Sequence, residues 1–390
     1  MTKKTIDVFP MFPENKCAIA CSSSAEYAPY LSVFLQSIKE NASAKNTYDI
    51  IVFESSWTDA LRKKITDFFN SDNFSVRFVN PMDIIQQYNL KFPAHYALEC
   101  YFRLCSPIIL KNFDKLIFTD VDLVFQKDPA LLYETDLTGY PLAACQDLVY
   151  GAMLNTDEKL RNYEKEFLML EKPYEYFNTG VMVLNVKEFL KNDYSGELLE
   201  LVSKITFKIL EQDGLNRYFQ NNIKYIDTAW NYAVPIKRYL KILENMPENS
   251  KVIYEKDRQN PGIIHWAGAG KPWNDPGEDL ADVWWGYARK TPFYEECLLQ
   301  TFGNKLEQLR GEFVKIHFPN INNRFVQNEE NIKLLFVMNH MLYFKLKKWF
   351  YKIICLFTFG SKRDKYKQKI FKLRDLIKNV RKFRHHLFKG

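Results

Sequence analysis

The first 125 residues alternate between short apolar segments and amphipathic segments, and this alternation restricts the fold more than any other feature of the chain. The amphipathic segments YAPYLSVFLQSIKE (27–40) and SSWTDALRKKITDFF (55–69) have apolar residues at helical spacing. The pattern of buried strands occurs in four segments, CAIAC (17–21), YDIIVFE (48–54), FSVRFVN (74–80) and KLIFT (115–119). Their β-α-β-α order predicts a mostly parallel sheet with helices on both faces.

Two carboxylates interrupt the fourth apolar segment, KLIFTDVDLVF (115–125). Burying unpaired carboxylates costs several kcal/mol each, so either the strand ends before them or a positive group meets them. Parallel sheets bind ligands at the carboxyl ends of their strands. We therefore expect KLIFT to be the strand, with Asp120 and Asp122 at its end beside a cleft. Taken alone, the pair has a second interpretation, in which both aspartates cap a following turn.

Further motifs flank this acidic pair along the chain. They are YFRLCSPIIL (101–110) before it, and YFNTGVMVLNV (176–186), EQDGLNRYF (211–219) and IIHWAGAGKPW (263–273) after it. In this order the sequence resembles glycosyltransferase family 8, the retaining sugar-nucleotide transferases, and especially its bacterial lipooligosaccharide galactosyl- and glucosyltransferases. The resemblance extends from Ala18 to Trp273. It implies an α/β fold of the GT-A type, with a mixed, mostly parallel sheet flanked by helices and a helical, basic C-terminal extension.

The resemblance also implies a metal site formed by Asp120, Asp122 and His265. A divalent cation across the pyrophosphate of a UDP-sugar acts as a Lewis acid for the leaving group. Carboxylates with an imidazole favour Mn²⁺ over Mg²⁺, which prefers oxygen ligands alone, and Mg²⁺ remains the alternative. Without the resemblance, His265 after an apolar run would be interpreted as a core residue.

The implied catalytic residues are Arg103, Gln212 and Asp213. A guanidinium at Arg103 is suited to binding sugar hydroxyls and bracing an acidic residue. Gln212 would lie by the anomeric carbon on the face opposite the leaving group, and Asp213 would hydrogen-bond sugar hydroxyls. Because an amide is a poor nucleophile, we expect a front-face substitution with retention rather than a double displacement.

The donor nucleotide and sugar are expected to contact a set of residues spread along the chain. Tyr27 would stack on uracil, Asn178 would bond a sugar hydroxyl, and Lys271 would meet the pyrophosphate. The full set is Ala20, Ser22, Tyr27, Asp120, Val121, Asn178, Thr179, Gly268 and Lys271. Asp147, in AACQDLVYG, resembles a family aspartate on the acceptor side.

One position departs from the family pattern. The family's first loop carries an aspartate that helps to fix the nucleoside, whereas CSSSAEYAPYL offers Ser24 or Ala25. This departure puts nucleotide affinity or base selection in question, although the Ser24 hydroxyl can still donate or accept a hydrogen bond.

Positive charge is concentrated at the end of the chain. The net charge is +7, but residues 341–390 contain sixteen Lys or Arg and two Asp, so the remainder is net negative. The apolar run from Trp349 to Gly360 is interrupted by Lys352, and it is shorter than the roughly twenty residues of a bilayer span. We expect a catalytic domain (1–275), a helical, aromatic extension (276–340) and a basic amphipathic tail (341–390).

This tail resembles the membrane-attachment region of the bacterial enzymes in the family. Each Lys or Arg near an anionic leaflet contributes about 1 kcal/mol, and Trp349, Phe350 and Phe357 can enter the interface. We therefore expect peripheral attachment to the anionic inner face of the cytoplasmic membrane, beside a lipid-linked acceptor. Nucleic-acid binding is the less favoured interpretation of the same charges, and a solvated helix is the third.

The cysteines and the N-terminus indicate the compartment. The seven cysteines form no CxxC pairs, which favours reduced thiols in the cytosol. The first sixteen residues contain no apolar segment, so no secretory signal is expected.

Three functions remain open on the sequence. The favoured one is metal-dependent, retaining transfer of galactose or glucose from a UDP-sugar to a glycan acceptor, in particular a bacterial cell-surface glycolipid. The alternatives are a transferase acting on a protein acceptor and an inactive GT-A domain that binds a UDP-sugar. The missing first-loop aspartate keeps the inactive binder under consideration.

Overall fold

The computed structural model describes residues 7–14, 16–90, 98–235, 240–304, 344–352, 354–355 and 360–387. The chain divides into two compact units, residues 1–301 and 302–390. The three-part division expected from the sequence, with boundaries at 275 and 340, stays a prediction. Residues 305–343, which include most of its middle part, lie outside the described residues.

The first unit is built from alternating strands and helices. The described strands are β1 (Lys16–Ser22), β2 (Thr47–Phe53), β3 (Phe74–Val79), β4 (Lys115–Thr119), β5 (Leu123–Phe125), β6 (Leu142–Gln146), β7 (Phe177–Asn185), β8 (Lys224–Tyr225), β9 (Tyr232–Ala233) and β10 (Ile263–His265). The described helices are α1 (Ala28–Asn41), α2 (Asp59–Phe69), α3 (Met82–Ile85), α4 (Phe102–Ile109), α5 (Pro129–Tyr133), α6 (Leu148–Thr156), α7 (Glu158–Asn162), α8 (Val186–Lys191), α9 (Tyr194–Lys204), α10 (Leu210–Phe219), α11 (Leu240–Leu243), α12 (Glu248–Gln259) and α13 (Ala281–Ala288).

Seven strands form the main sheet, in the order β3-β2-β1-β4-β7-β6-β8. The pairs β1–β2, β2–β3, β1–β4 and β6–β8 are parallel, and β7 runs antiparallel to both β4 and β6. The predicted mixed, mostly parallel α/β sheet is confirmed. The first four strands begin and end within one residue of the predicted segments.

Two hydrophobic layers cover the faces of this sheet. Alternate residues of β1 point to opposite sides, so Ile19 joins the layer formed with α1 and α2, while Ala18 and Ala20 join the layer formed with α4, α9 and α10. Cys17 and Cys21 are buried among apolar side chains on the α1 side. Burial raises the pKa of the Cys21 thiol, so it behaves as a small apolar residue.

A second sheet of three short strands, in the order β5-β10-β9, forms beside the main one. β5 is the second half of the KLIFTDVDLVF segment, so the chain leaves the main sheet after Thr119 and enters the small sheet at Leu123. The segment from Asp120 to Asp122 therefore connects the two sheets. The predicted strand end after Thr119 is confirmed, whereas the second strand was not anticipated.

The second unit contains a helix at 344–352 and a longer terminal helix, Gly360–Leu387. One side of the terminal helix is buried at Tyr366, Ile370, Leu373 and Ile377. Trp349 and Phe371, in contrast, are 58% and 63% exposed. Among the described residues, no helix combines the length and the apolar character that a membrane crossing requires.

Candidate active site

The acidic pair lies at the carboxyl edge of the main sheet, where the chain passes from β4 to β5. The backbone N–H of Asp120 donates to the carbonyl of Gly180 at 2.9 Å, which ties the start of this connection to β7. The other end is tied to β10, since the backbone N–H of Trp266 donates to the carbonyl of Asp122 at 3.1 Å. Both carboxylates are consequently held on a backbone that is fixed at each end.

His265 reaches the pair through the small sheet. β10 runs antiparallel to β5 with His265 opposite Leu123, so the imidazole lies next to the residue that precedes β5. Its Nε2 atom lies 3.1 Å from Asp122 Oδ1 and 3.7 Å from Asp120 Oδ2. One ligand atom from each of the three residues falls within 4.8 Å of the others. The structure thus brings together the three predicted metal ligands.

This spacing fits a single divalent cation. Metal–ligand bonds of about 2.1 Å place adjacent ligand atoms about 3 Å apart, close to the observed separations. Gly180 leaves the room for this arrangement. A Cβ atom built on Gly180 would lie 2.3 Å from His265 Cε1 and 2.9 Å from Asp120 Oδ2. A side chain at this position would fill the space into which the ligands point, and only glycine avoids that.

Arg103 is a buried cation that contacts the acidic pair through Asp120. Its side chain is only 6% exposed, and its guanidinium donates to Asp120 Oδ1 and to the carbonyl oxygen of Thr179. Its Nε atom lies 3.2 Å from Glu211 Oε1. Burial opposes the charge, but Asp120 and Glu211 more than offset it and raise the pKa of Arg103. Arg103 is therefore a permanently charged, buried group with its donors directed at fixed acceptors.

Lys271 bonds the second aspartate of the pair. Its ammonium group donates to Asp122 Oδ2 and, at 2.6 Å, to the carbonyl oxygen of Trp266. Although burial acts to raise the pKa of Asp122, Lys271 and His265 hold that pKa well below its usual value. Asp122 is therefore ionised and able to act as a metal ligand. Gly268, in the same loop, has φ of 91°, in the left-handed region that favours glycine.

The EQD segment forms the first turn of α10. Gln212 Oε1 accepts from the backbone N–H and the hydroxyl of Thr179, at 3.0 and 3.1 Å, so its amide is fixed beside β7. Asp213 is fully buried, and its carboxylate accepts from the hydroxyls of Tyr163 and Tyr176. In this structure the Asp213 carboxylate accepts hydrogen bonds from two tyrosines, and its contact with sugar hydroxyls stays a prediction.

Glu211 is the acid of this segment that shares Arg103 with the acidic pair. It is 6% exposed, and burial raises its pKa to about 7 in spite of the opposing effect of Arg103. Sequence reasoning missed it because Gln212 and Asp213 took both of the roles that the family assigns to this segment. Its position one residue earlier in the same helical turn was the available indication.

Asn178 and Asp147 are in direct contact. Asn178 Nδ2 donates to Asp147 Oδ2 at 2.9 Å, and the other oxygen of Asp147 caps α6 by accepting from the Tyr150 N–H. Both residues line an open depression, together with Thr228, Asn231 and Asp257. A depression lined by amide, hydroxyl and carboxylate groups beside the metal ligands has the chemistry of a sugar-hydroxyl site.

The predicted donor residues of the first strand lie at the same edge. Tyr27 follows β1 in a short helical turn and is 39% exposed, with its ring edge-on to Trp273. Trp273 is buried and stacks on Tyr30, with ring centroids 4.0 Å apart. Ala20 and Val121 are buried in the core, whereas the Ser22 hydroxyl is buried with no partner among the described residues.

Comparisons with known proteins agree with this geometry. A family model described as "Glycosyl transferase family 8" matches residues 18–277, about two thirds of the chain. A putative glycosyltransferase of Haemophilus influenzae is 24% identical over 295 residues, covering 70% of this chain and 84% of that protein. The lipopolysaccharide 1,2-glucosyltransferase of Escherichia coli is 24% identical over 246 residues, covering 61% of this chain and 67% of the enzyme.

The fold also matches solved structures. One is the galactosyltransferase LgtC, solved in complex with donor and acceptor sugar analogues. The alignment has a TM-score of 0.55 at 22% identity and covers 70% of this chain and 96% of LgtC. The likeness extends over nearly the whole length of that enzyme, and it establishes the fold of the first unit.

Proposed function

The chain belongs to glycosyltransferase family 8, and from this premise we propose that it transfers galactose or glucose from a UDP-sugar to a glycan acceptor, with retention and with a divalent cation. The observation that carries this proposal is the convergence of Asp120, Asp122 and His265 within 4.8 Å at the carboxyl edge of the sheet. This edge is where α/β sheets of this kind bind nucleotides.

The ligand set favours Mn²⁺. The three side chains offer two carboxylates and one imidazole, and nitrogen ligands suit Mn²⁺ better than Mg²⁺. When bound, the cation would neutralise the negative charge that develops on the leaving nucleotide. The residues of this chain keep the ligands in place: Arg103 holds the Asp120 carboxylate, and the backbone hydrogen bonds of Asp120 and Trp266 fix both ends of the connection.

The donor would lie between Tyr27 and α10. The exposed ring of Tyr27 offers a stacking face for a base, and the Lys271 ammonium bonds Asp122, near where a pyrophosphate would approach. Asn178 and Thr179 lie on the same edge at the start of β7, where they are 7% and 2% exposed, and they are proposed to contact the donor sugar. These groups orient the donor rather than take part in covalent chemistry.

The immobilised Gln212 amide supports a front-face substitution. Its oxygen already accepts two hydrogen bonds from Thr179, and an amide is a poor nucleophile for a double displacement. In a front-face substitution the departing phosphate takes the proton of the acceptor hydroxyl, so no side chain forms a bond with the sugar. A sugar adduct trapped on Gln212, Glu211 or Asp213 would overturn this mechanism.

A donor panel tests the proposal most directly. UDP release from UDP-galactose and UDP-glucose is measured with Mn²⁺, with Mg²⁺ and after chelation, in the wild type and in Asp120→Asn. We expect release that requires the cation and falls at least a hundredfold in the variant. Asp67→Asn is the matched control, since Asp67 is a surface residue paired with Lys63. Binding of UDP without turnover of either sugar would favour the inactive binder instead.

A membrane-bound glycolipid is the proposed acceptor. The E. coli relative is a lipopolysaccharide glucosyltransferase, and residues 341–390 carry fourteen net positive charges. Because the apolar side of the terminal helix is already buried, the attachment would depend on the basic residues and on the exposed Trp349 and Phe371. Phe350 stacks on Phe302 with centroids 4.3 Å apart, and Phe357 lies outside the described residues.

Vesicle flotation tests this attachment. The full chain should float with vesicles containing phosphatidylglycerol and remain behind with pure phosphatidylcholine. Replacing three exposed tail residues by glutamine should reduce flotation at least tenfold, and the same change at three exposed lysines of the first unit should not. The tail residues are Lys365, Lys372 and Arg374, and the control residues are Lys159, Lys165 and Lys187. Preferential binding to duplex DNA or RNA over these vesicles would overturn the attachment.

A further inference from the structure

A line of hydrogen bonds runs from Asp147 to the imidazole of His265 through two buried amides. Asn178 Nδ2 donates to Asp147 Oδ2 at 2.9 Å, and Asn231 Nδ2 donates to Asn178 Oδ1 at 2.9 Å. Asn231 Oδ1 then lies 2.8 Å from His265 Nδ1. We call these four residues the amide relay.

The direction of every bond in the amide relay is fixed by its first two members. An ionised carboxylate only accepts hydrogen bonds, so Asn178 must turn its NH₂ group towards Asp147. The backbone N–H of Gly180 donates to Asn178 Oδ1 at 2.8 Å, which fixes the same orientation independently. Asn178 Oδ1 is thus an acceptor, and Asn231 must direct its own NH₂ group at it. The oxygen of Asn231 is left facing the imidazole.

This orientation determines which nitrogen of His265 carries the proton. Because Asn231 Oδ1 can only accept, Nδ1 carries a proton whether the ring is neutral or charged. Nε2 is the atom that faces Asp122 and Asp120, at 3.1 and 3.7 Å. In the charged ring Nε2 donates to these carboxylates, and in the neutral ring it offers its lone pair to a cation bound between them. The amide relay therefore favours the tautomer in which Nε2, the nitrogen that faces the acidic pair, can bind a metal ion.

Burial strengthens the assignment of these hydrogen-bond directions. Asn178, Asn231 and His265 are 7%, 5% and 1% exposed, so water does not compete for these bonds. The backbone explains how Asn231 reaches the ring: it directly precedes β9, which pairs in parallel with β10 so that Tyr232 and Ala233 lie opposite Ile264 and His265. An apolar side chain here would leave Nδ1 without its buried partner and Asn178 Oδ1 with only the Gly180 N–H.

We propose that Asn231 is a positioning residue that holds His265 in the Nδ1-protonated tautomer, with Nε2 directed at the metal site. The relevance of this tautomer to metal binding rests on the proposed function, but the tautomer itself does not. Partners of this kind orient ligating histidines, and losing one costs about tenfold to a hundredfold in metal affinity.

The first test reads the tautomer in metal-free protein. Long-range ¹H–¹⁵N spectra of protein labelled with ¹⁵N-histidine, recorded where the ring is neutral, distinguish the two nitrogens. The His265 signals are identified by their loss in His265→Asn. We expect Nδ1 to be protonated in the wild type. A neutral ring that is protonated on Nε2 and not on Nδ1 would overturn the proposal without any substitution at Asn231.

The second test removes the acceptor. Asn231→Leu should shift His265 away from the Nδ1-protonated form and weaken Mn²⁺ binding, measured by calorimetry, by tenfold to a hundredfold. Asn231→Asp keeps an acceptor at Nδ1 and should retain the tautomer. Asn216→Leu is the matched control, because Asn216 is equally buried but bonds to the backbone of Phe177 and Gln212. An unchanged tautomer and unchanged affinity in folded Asn231→Leu would refute the role.

These readouts separate the inference from the proposed function. If the tautomer and Mn²⁺ affinity respond as expected while no UDP-sugar is turned over, the positioning role stands and the transferase proposal fails. If UDP-sugar turnover depends on Mn²⁺ but Nδ1 of His265 carries no proton, the transferase proposal stands and the role of Asn231 fails.

Discussion

Replacing Gly180 by alanine tests the geometry of the site with one added methyl group. The new Cβ atom would lie 2.3 Å from His265 Cε1 and 2.9 Å from Asp120 Oδ2. Carbon atoms in contact are separated by about 3.5 Å, so the imidazole or β7 must move by about 1 Å. His265 is 1% exposed and bonded to Asn231, which leaves it no open space to enter.

The expected cost has two parts. Overpacking of a buried site lowers the free energy of unfolding by about 1–3 kcal/mol. A displacement of about 1 Å in a catalytic group costs about a hundredfold in rate, and displacing a ligand also weakens metal binding. We therefore expect Gly180→Ala to remain folded, with UDP-sugar turnover reduced about a hundredfold and Mn²⁺ affinity reduced at least tenfold.

Gly286→Ala provides the control for this change. Gly286 lies within α13, and a Cβ atom there would meet nothing within 4 Å. Alanine in a helix is more stable than glycine by about 0.5–1 kcal/mol, so this variant should be slightly stabilised and fully active. Urea unfolding, calorimetry with Mn²⁺ and UDP release measure the three quantities. Wild-type rate and metal affinity in Gly180→Ala would refute the tight geometry.

Three further substitutions test the buried charges of the first unit. Glu164 is fully buried, and burial raises its pKa to about 7. Because the pKa is lower in the unfolded chain, the free energy of unfolding should fall by about 1–2 kcal/mol from pH 5.5 to pH 8. Glu164→Gln should remove that part of the pH dependence in urea titrations. Asp213→Ala removes the acceptor of two tyrosine hydroxyls and should lower the free energy of unfolding by about 2–4 kcal/mol. An equal loss from Asp67→Ala would contradict a specific role of Asp213 in stability. Arg103→Met leaves two carboxylates without their counter-charge and should lower the free energy of unfolding by about 3–5 kcal/mol. Adding Glu211→Gln should recover part of this loss in a double-mutant cycle.

The main sheet could be predicted because its signals are local. The segment KLIFT has the observed bounds of β4, and CAIAC differs from β1 by one residue at each end. Apolar runs of five to seven residues between amphipathic helices leave few alternatives to buried parallel strands. The position of Asp120 and Asp122 then follows from the rule that ligands bind at the carboxyl ends of such strands.

The small sheet could not be predicted in the same way. β5 and β10 have three residues each, and β9 has two, which is too short to display a periodicity. Their pairing joins segments about 140 residues apart, and it alone explains how His265 meets Asp122. The family resemblance supplied His265, but nothing in the local sequence indicated Asn231, whose role depends on the pairing of β9 with β10.

Helix phase explains why the sequence could not choose between Glu211 and Asp213. Successive residues of a helix are separated by about 100°, so these two acids lie about 160° apart around α10. One of them must face the cleft and the other the interior, and the sequence does not fix which. The structure pairs Glu211 with Arg103 and buries Asp213 between tyrosine hydroxyls. Gln212, between them, borders β7 in either case.

The two cations of the site differ in how firmly they are held, and this difference supports distinct roles for them. Arg103 is 6% exposed, donates hydrogen bonds to the carbonyl of Thr179 on β7 and to Asp120, and is ion-paired with Glu211 on α10. Turning it away would leave two carboxylates without their counter-charge. Lys271 has a single ammonium group on a flexible stem, bonded to Asp122 and one carbonyl. A divalent cation at the acidic pair would replace the charge that Lys271 gives to Asp122. Under the proposed function, Lys271 would then turn to the pyrophosphate, while Arg103 would remain the fixed support of the site.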